Sequence, residues 1–187
     1  MAAWYRGTLT ASFPPATWRR LFPVTLAVGF LLVGYFYAAS PLFSASGKAG
    51  HTADPNRRLL GYDDLAKSVQ AVREKLPDTD DPFLLVIGHR DLTSHLAFGL
   101  PDQPRVHNLD PRPGIDSQYE MWNLRDAPAL VGRDALILYP ESERLPKRFA
   151  RSFESVEKLE TIRVKLQNQE KRYVVFLARG MTAWPGE

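Results

Sequence analysis

Phe83-Leu84-Leu85-Val86-Ile87-Gly88-His89-Arg90-Asp91 is the stretch that decides the fold. Five apolar residues run without interruption between Asp81-Pro82 and Gly88. The run is short and shows no polar alternation, which marks a strand buried on both faces. Downstream, Leu92, Leu96 and Leu100 recur every fourth residue, so a helix is expected over Asp91 to Gly99. Pro104 to His107 reads as a second short strand, and Ala135 to Tyr139 as a third buried one. Between them, Asp110 to Gly132 is proline-bearing and weakly periodic. It is expected to be a long loop with one helical turn near Tyr119 to Trp122, and a loop of that length is often functional. Lys147 to Phe153 reads as a helix. Val156 to Leu166 and Arg172 to Ala178 read as antiparallel strands around the polar turn Gln167 to Glu170.

Upstream of the central run, Gly61-Tyr62-Asp63-Asp64 opens a helix whose apolar face is Leu65, Val69, Val72 and Leu76. Its two aspartates suit the positive end of the helix dipole, and Pro77 with the acidic turn Asp78 to Asp81 ends it. Strand–helix–strand units with short links favour a parallel sheet. The expected domain is therefore α/β, three-layer-like, with a mixed, mostly parallel sheet and a C-terminal antiparallel hairpin. It covers residues 57–180, followed by a tail at 181–187.

Further upstream, Leu21 to Phe43 has no charge in 23 residues. At about 1.5 Å per residue a helix of that length spans roughly 34 Å, enough for a bilayer core. Trp18 on one side and Tyr35, Tyr37 and Phe43 on the other resemble interfacial anchors. The expected partner of this segment is a lipid bilayer. A buried core helix and a cleaved signal peptide are the alternatives, the latter suggested by Arg19-Arg20 before the segment and Ser44-Ala45-Ser46 after it. Arg6, Arg19 and Arg20 precede the segment, which favours an N-terminus in the cytoplasm and a domain facing the periplasm or exterior. Residues 1–20 form a short aromatic and basic stretch, and residues 44–56, rich in small and polar side chains, read as a linker.

The formal charge of +3 arises before the domain. Of 24 Lys and Arg, three precede residue 44, and all 21 acids follow residue 53, so 21 basic residues meet 21 acidic ones in the remainder. A neutral domain exerts no net pull on a polyanion, so no nucleic-acid partner is expected. The chain has no cysteine, which excludes disulfides, zinc–thiolate sites and thiol nucleophiles. It carries no phosphate-loop lysine motif, no dinucleotide glycine fingerprint, no nucleophile elbow and no His-Glu-x-x-His. The four histidines, His51, His89, His95 and His107, have no metal-ligand spacing. No cofactor and no metal are expected.

In an open parallel sheet the segments leaving the carboxyl ends of the strands share one edge, where ligands bind. That edge is expected to gather His89, Arg90, Asn108, Gln118, Tyr119, Trp122 and Tyr139. Aromatic faces with amide and guanidinium donors suit a sugar or a phosphate. The same residues also admit a structural reading, in which Asp91 caps a helix and Tyr119 and Trp122 pin the loop.

Several short pieces carry a resemblance. They are Asp54-Pro55-Asn56-Arg57-Arg58, Gly61-Tyr62, His89-Arg90, Ser94-His95-Leu96-Ala97-Phe98, Leu100-Pro101, Pro104-Arg105-Val106, Gln118-Tyr119-Glu120-Met121-Trp122 and Gly132-Arg133-Asp134-Ala135-Leu136. In this order they resemble the C-terminal soluble domain of bacterial family 39 glycosyltransferases, relatives of dolichyl-phosphate-mannose protein mannosyltransferases and lipid A aminoarabinose transferases. The similarity covers nearly all of Asp54 to Gly180. Ser117 and Glu120 stand where the family pattern has Asn and Asp. The resemblance implies that Leu21 to Phe43 is the last of many membrane helices. It also implies a polyprenyl-phosphate sugar as donor, transfer outside the cytoplasmic membrane, and the multi-helix part of the same transferase as a partner. The family's catalytic carboxylate lies in a membrane loop with no counterpart here, so this chain is not expected to be active alone and has no catalytic residue of its own. The alternative is a self-standing single-pass protein whose α/β domain binds a glycan or a protein.

Overall fold

The computed structural model describes residues 15–77, 81–111, 117–140 and 144–185, with residues 15–20 and 124 described by their backbone alone. Most of the aromatic stretch at 1–20, most of the acidic turn after Pro77, and Glu141 therefore lie outside the described residues. The chain divides into two compact units at Arg58/Leu59.

The first unit is built on α1, Pro15–Ala45. Its stretch Leu21–Ala45 is long and apolar enough to cross a membrane, and Ala39 is its one buried residue. At about 1.5 Å per residue its 25 residues reach roughly 37 Å. After the helix, the segment read as a linker is a set of turns. Asp54, itself buried, accepts hydrogen bonds from the amides of Gly50 (3.0 Å) and Asn56 (2.9 Å). Asn56 Nδ2 donates to the Phe36 carbonyl at 3.1 Å, tying the turns back to the helix.

The second unit is the α/β domain. Its elements are α2 (Tyr62–Arg73), β1 (Phe83–Ile87), α3 (Arg90–Gly99), β2 (Val106–Leu109), α4 (Gln118–Leu130), β3 (Ala135–Tyr139), α5 (Lys147–Ala150), β4 (Phe153–Lys165) and β5 (Glu170–Met181). The sheet order is β2-β1-β3-β5-β4. β1 runs parallel to β2 and to β3, and the β4–β5 hairpin joins β3 through antiparallel β5. The fold is thus α/β with a mixed sheet, and β1, apolar throughout, sits inside the sheet with every residue buried.

The pleat sends alternate residues to opposite layers. Leu84 and Val86 of β1 meet Leu136, Leu138, Val106 and the apolar faces of α2 and α3. Phe83, Leu85 and Ile87 meet Ile137, Phe176, Ala127 and Leu130 of α4, and Phe149 of α5. β4 lies at the edge, and its exposed Glu154, Glu157, Lys158 and Glu160 supply the charges that discourage edge-to-edge pairing.

Four boundaries differ from the sequence reading. The expected loop holds a 13-residue helix, α4, started by a capping box between Ser117 and Glu120. Its buried stripe, Asn123, Ala127 and Leu130, contains one polar and one small residue, which hides the helical period. β2 begins at Val106, since Pro104 has no N–H to offer the ladder. α5 is a single turn, and Phe153 pairs with Met181 as the first rung of the hairpin. The expected tail is also part of the domain: Met181 closes β5 and Trp184 is buried in the core.

Candidate functional site

The carboxyl ends of β1 and β2 deliver the chain to the N-termini of α3 and α4. His89 caps α3: its Nδ1 accepts from the Asp91 amide (3.4 Å) and lies 2.9 Å from Asp91 Oδ1. Asp91 in turn accepts from the Tyr62 hydroxyl at 3.4 Å. Tyr62 stacks on His95 with ring centroids 3.8 Å apart, and Lys171 Nζ stands 4.7 Å over the Tyr62 ring while donating to the Leu60 carbonyl at 2.8 Å. Burial, then the Asp91 charge, raises the Tyr62 phenol well above its usual value; the same causes push Tyr173 up to about 12. Burial lowers Lys171. His89 thus caps its turn while its ring stays exposed.

Asn108 is fully buried rather than displayed at the edge. Its Oδ1 accepts from Thr93 Oγ1 at 2.7 Å, its Nδ2 donates to Glu120 Oε1 at 3.3 Å, and its carbonyl accepts from Asn123 Nδ2. This one side chain joins α3, β2 and α4. Glu120 closes the knot by accepting from the Ser117 amide (2.7 Å) and hydroxyl (2.5 Å). Burial opposes the Glu120 carboxylate, but the Ser117 and Asn108 donors outweigh it and hold the group below its usual range. Beneath the knot His107, 4% exposed, lies 3.4 Å from Asn123 Oδ1 and packs edge-on against Phe83 and Trp184. Burial lowers its pKa, partly offset by Asn123.

Tyr139 also leaves the edge for the interior, where it joins Phe149 and Phe153 in the core. Trp122 lies one turn beyond Tyr119, with ring centroids 5.5 Å apart. Its ring is covered by the Arg105 guanidinium at 4.8 Å, which Asp126 holds at 2.6 Å. What the edge does present is His89, Arg90 and Gln118, all exposed, and half-buried Tyr119. The Tyr119 hydroxyl is 2.9 Å from Ser94 Oγ, and Ser94 Oγ donates to the Arg90 carbonyl at 3.0 Å. Arg90 and Ser94, four apart, share one face of α3, so Tyr119 brings the first turn of α4 against the face that carries Arg90. Asp91 and Glu120 already occupy the two helix starts, so it is the exposed Arg90 guanidinium that favours an anion here.

The seven expected residues therefore divide. Arg90, Gln118 and Tyr119 come together, with Ser94 added. His89 caps, Asn108 and Tyr139 are interior, and Trp122 turns toward Arg105. Among residues not anticipated, Glu120 was signalled by its three-residue spacing from Ser117. Thr93, Ser94 and Asn123 had no local signal, because their partners are brought in by the sheet. Among the described residues no group of His, Asp and Glu is placed to hold a metal ion.

No family model matches the chain, and no curated protein matches it. Among solved structures, a release-factor-specific protein-(glutamine-N5) methyltransferase from Alicyclobacillus acidocaldarius aligns with 14% identity. The alignment covers 62% of this chain and 91% of that one, at a TM-score of 0.22. Similarity at that level carries no argument about fold or activity.

Proposed function

We propose that this chain is the last membrane helix and extracytoplasmic domain of a family 39-type glycosyltransferase, and that the domain recognises a polyprenyl-phosphate sugar at the edge formed by Arg90, Ser94, Gln118 and Tyr119. The carrying observation is the 2.9 Å Ser94–Tyr119 contact, which sets the first turn of α4 against α3 beside an exposed guanidinium. Such an edge offers a guanidinium fork to a phosphate, and amide and hydroxyl groups to a sugar. The ordered run of resembling segments from Asp54 to Gly180, following an apolar helix, supports the family assignment. Bond breaking belongs to the multi-helix part of the transferase, and the domain serves recognition or support.

A photoreactive polyprenyl-phosphate hexose, incorporated with the full chain in nanodiscs, is expected to label the segments 90–94 and 118–122. Labelling confined to other segments, or none above that of the photoreactive polyprenol lacking phosphate and sugar, contradicts the proposal.

A further inference from the structure

A second concavity lies at the opposite, amino edge of the parallel strands. It is a cleft of about 410 Å³ between the end of α2, the starts of β1 and β2, and the later turns of α4. Arg73, Arg105, Arg125 and Arg133 converge on it, against Asp81, Asp102 and Asp126. The pairing within it is unequal. Arg73 and Asp102 are closed on each other by two hydrogen bonds of 2.9 and 2.8 Å. Asp126 is shared, accepting from Arg105 at 2.6 Å and from Arg125 at 2.9 Å. Arg133 donates to the Asp81 backbone carbonyl at 3.1 Å and reaches Asp81 Oδ2 at 3.3 Å, but that carboxylate is 96% exposed, so water and salt screen the ion pair. Among the described residues Asp126 thus serves two guanidiniums, and the side-chain partner of Arg133 is easily displaced. Behind the charges stand Pro82, Pro104, Ala129 and Leu130, an apolar wall.

We propose that this cleft binds the phosphate or diphosphate group of a ligand, with Arg133 and Arg125 gripping the oxygens and the apolar wall receiving the ligand's uncharged body. A dianion suits the site better than a single carboxylate. It replaces the screened Asp81 on Arg133 and satisfies the half-shared Arg125, and the planar guanidinium matches tetrahedral phosphate oxygens two at a time. Asp81 competes with the ligand for Arg133 and so weakens binding.

The test is isothermal titration of the full chain in an uncharged detergent with inorganic pyrophosphate. Saturable binding is expected, weakened roughly tenfold by Arg133→Gln and by Arg125→Gln, as loss of a charge-assisted hydrogen bond predicts. Asp81→Asn is expected to tighten binding, which no fold defect imitates. Arg90→Ala, at the opposite edge, leaves it unchanged, so this site stands or falls independently of the sugar-recognition edge. Glycerol phosphate and dihexanoyl phosphatidic acid distinguish the sources: preference for the acylated compound assigns a lipid headgroup, and equal or weaker binding of it assigns a soluble phosphate compound. Absence of saturable binding, or equal pyrophosphate affinity in the wild type and the Arg125→Gln/Arg133→Gln double variant, overturns the proposal.

Discussion

Asn108 shows how one side chain can set a site without touching its ligand. It is buried with every polar group engaged, and its partners Thr93, Glu120 and Asn123 come from two helices. A buried amide left without a partner loses the desolvation cost of that group, about 1–3 kcal/mol. Thr93→Val keeps the shape and removes the donor to Asn108 Oδ1, so it is expected to lower the free energy of unfolding by about that amount in urea titration; an unchanged midpoint would show that the knot holds no strain-free hydrogen bond there. His107 adds a pH dependence. Its folded-state pKa lies below its ordinary value of 6.5, so the unfolded chain binds the proton first as pH falls. Stability from the neutral, buried ring is complete above about 6.5 and is lost as pH drops from there toward the folded value. Melting temperature is therefore expected to fall between pH 7 and 5, with a shallower slope in His107→Gln. Equal slopes in both proteins would remove His107 from the account.

At the scale of elements, the segments whose pattern is local were readable and those whose pattern depends on a distant partner were not. β1 and β3 are uninterrupted apolar runs, and α2 and α3 repeat leucine or valine every three or four residues, so their buried faces were plain. The α4 segment reads in sequence as a loop with one helical turn because Asn123 and Ala127 occupy its buried face and Pro128 lies near its end, although Ser117 and Glu120 spell its start. The candidate edge was legible only as a set of strand ends. Which side chains stay outside depends on where the knot and the core draw Asn108 and Tyr139, and no spacing encodes that. Gly61 is a local requirement that the structure makes concrete. Its φ is +85°, and a Cβ there would stand 2.7 Å from Val164 Cγ1 at the junction of α2 with β4. Gly61→Ala is expected to destabilise the domain by about 1–2 kcal/mol from the left-handed backbone alone, before any shift of Val164. Thermal unfolding at neutral pH checks this, and a wild-type melting temperature would mean that the turn relaxes freely.

For the whole molecule, the proposed reading gives the apolar helix the work of placement and the α/β domain that of recognition. Arg6, Arg19 and Arg20 precede the apolar stretch of α1, so we expect the domain to face away from the cytoplasm. A C-terminal alkaline phosphatase fusion should then be active and a C-terminal green fluorescent protein fusion dark, while the reverse pattern places the domain inside. The central claim is that the α3–α4 edge recognises a polyprenyl-phosphate sugar and does not merely hold the fold together. Arg90 and Gln118 are exposed, so their truncation should change stability by no more than about 0.5 kcal/mol. The most direct measurement is the affinity of the full chain in nanodiscs for a polyprenyl-phosphate hexose, with and without Arg90→Ala and Gln118→Ala together, beside the unfolding free energy of the same proteins. The account predicts saturable binding that weakens at least about tenfold at unchanged stability, as loss of a charged and a neutral hydrogen bond implies. Binding that survives both substitutions, or that is lost only together with the fold, contradicts it.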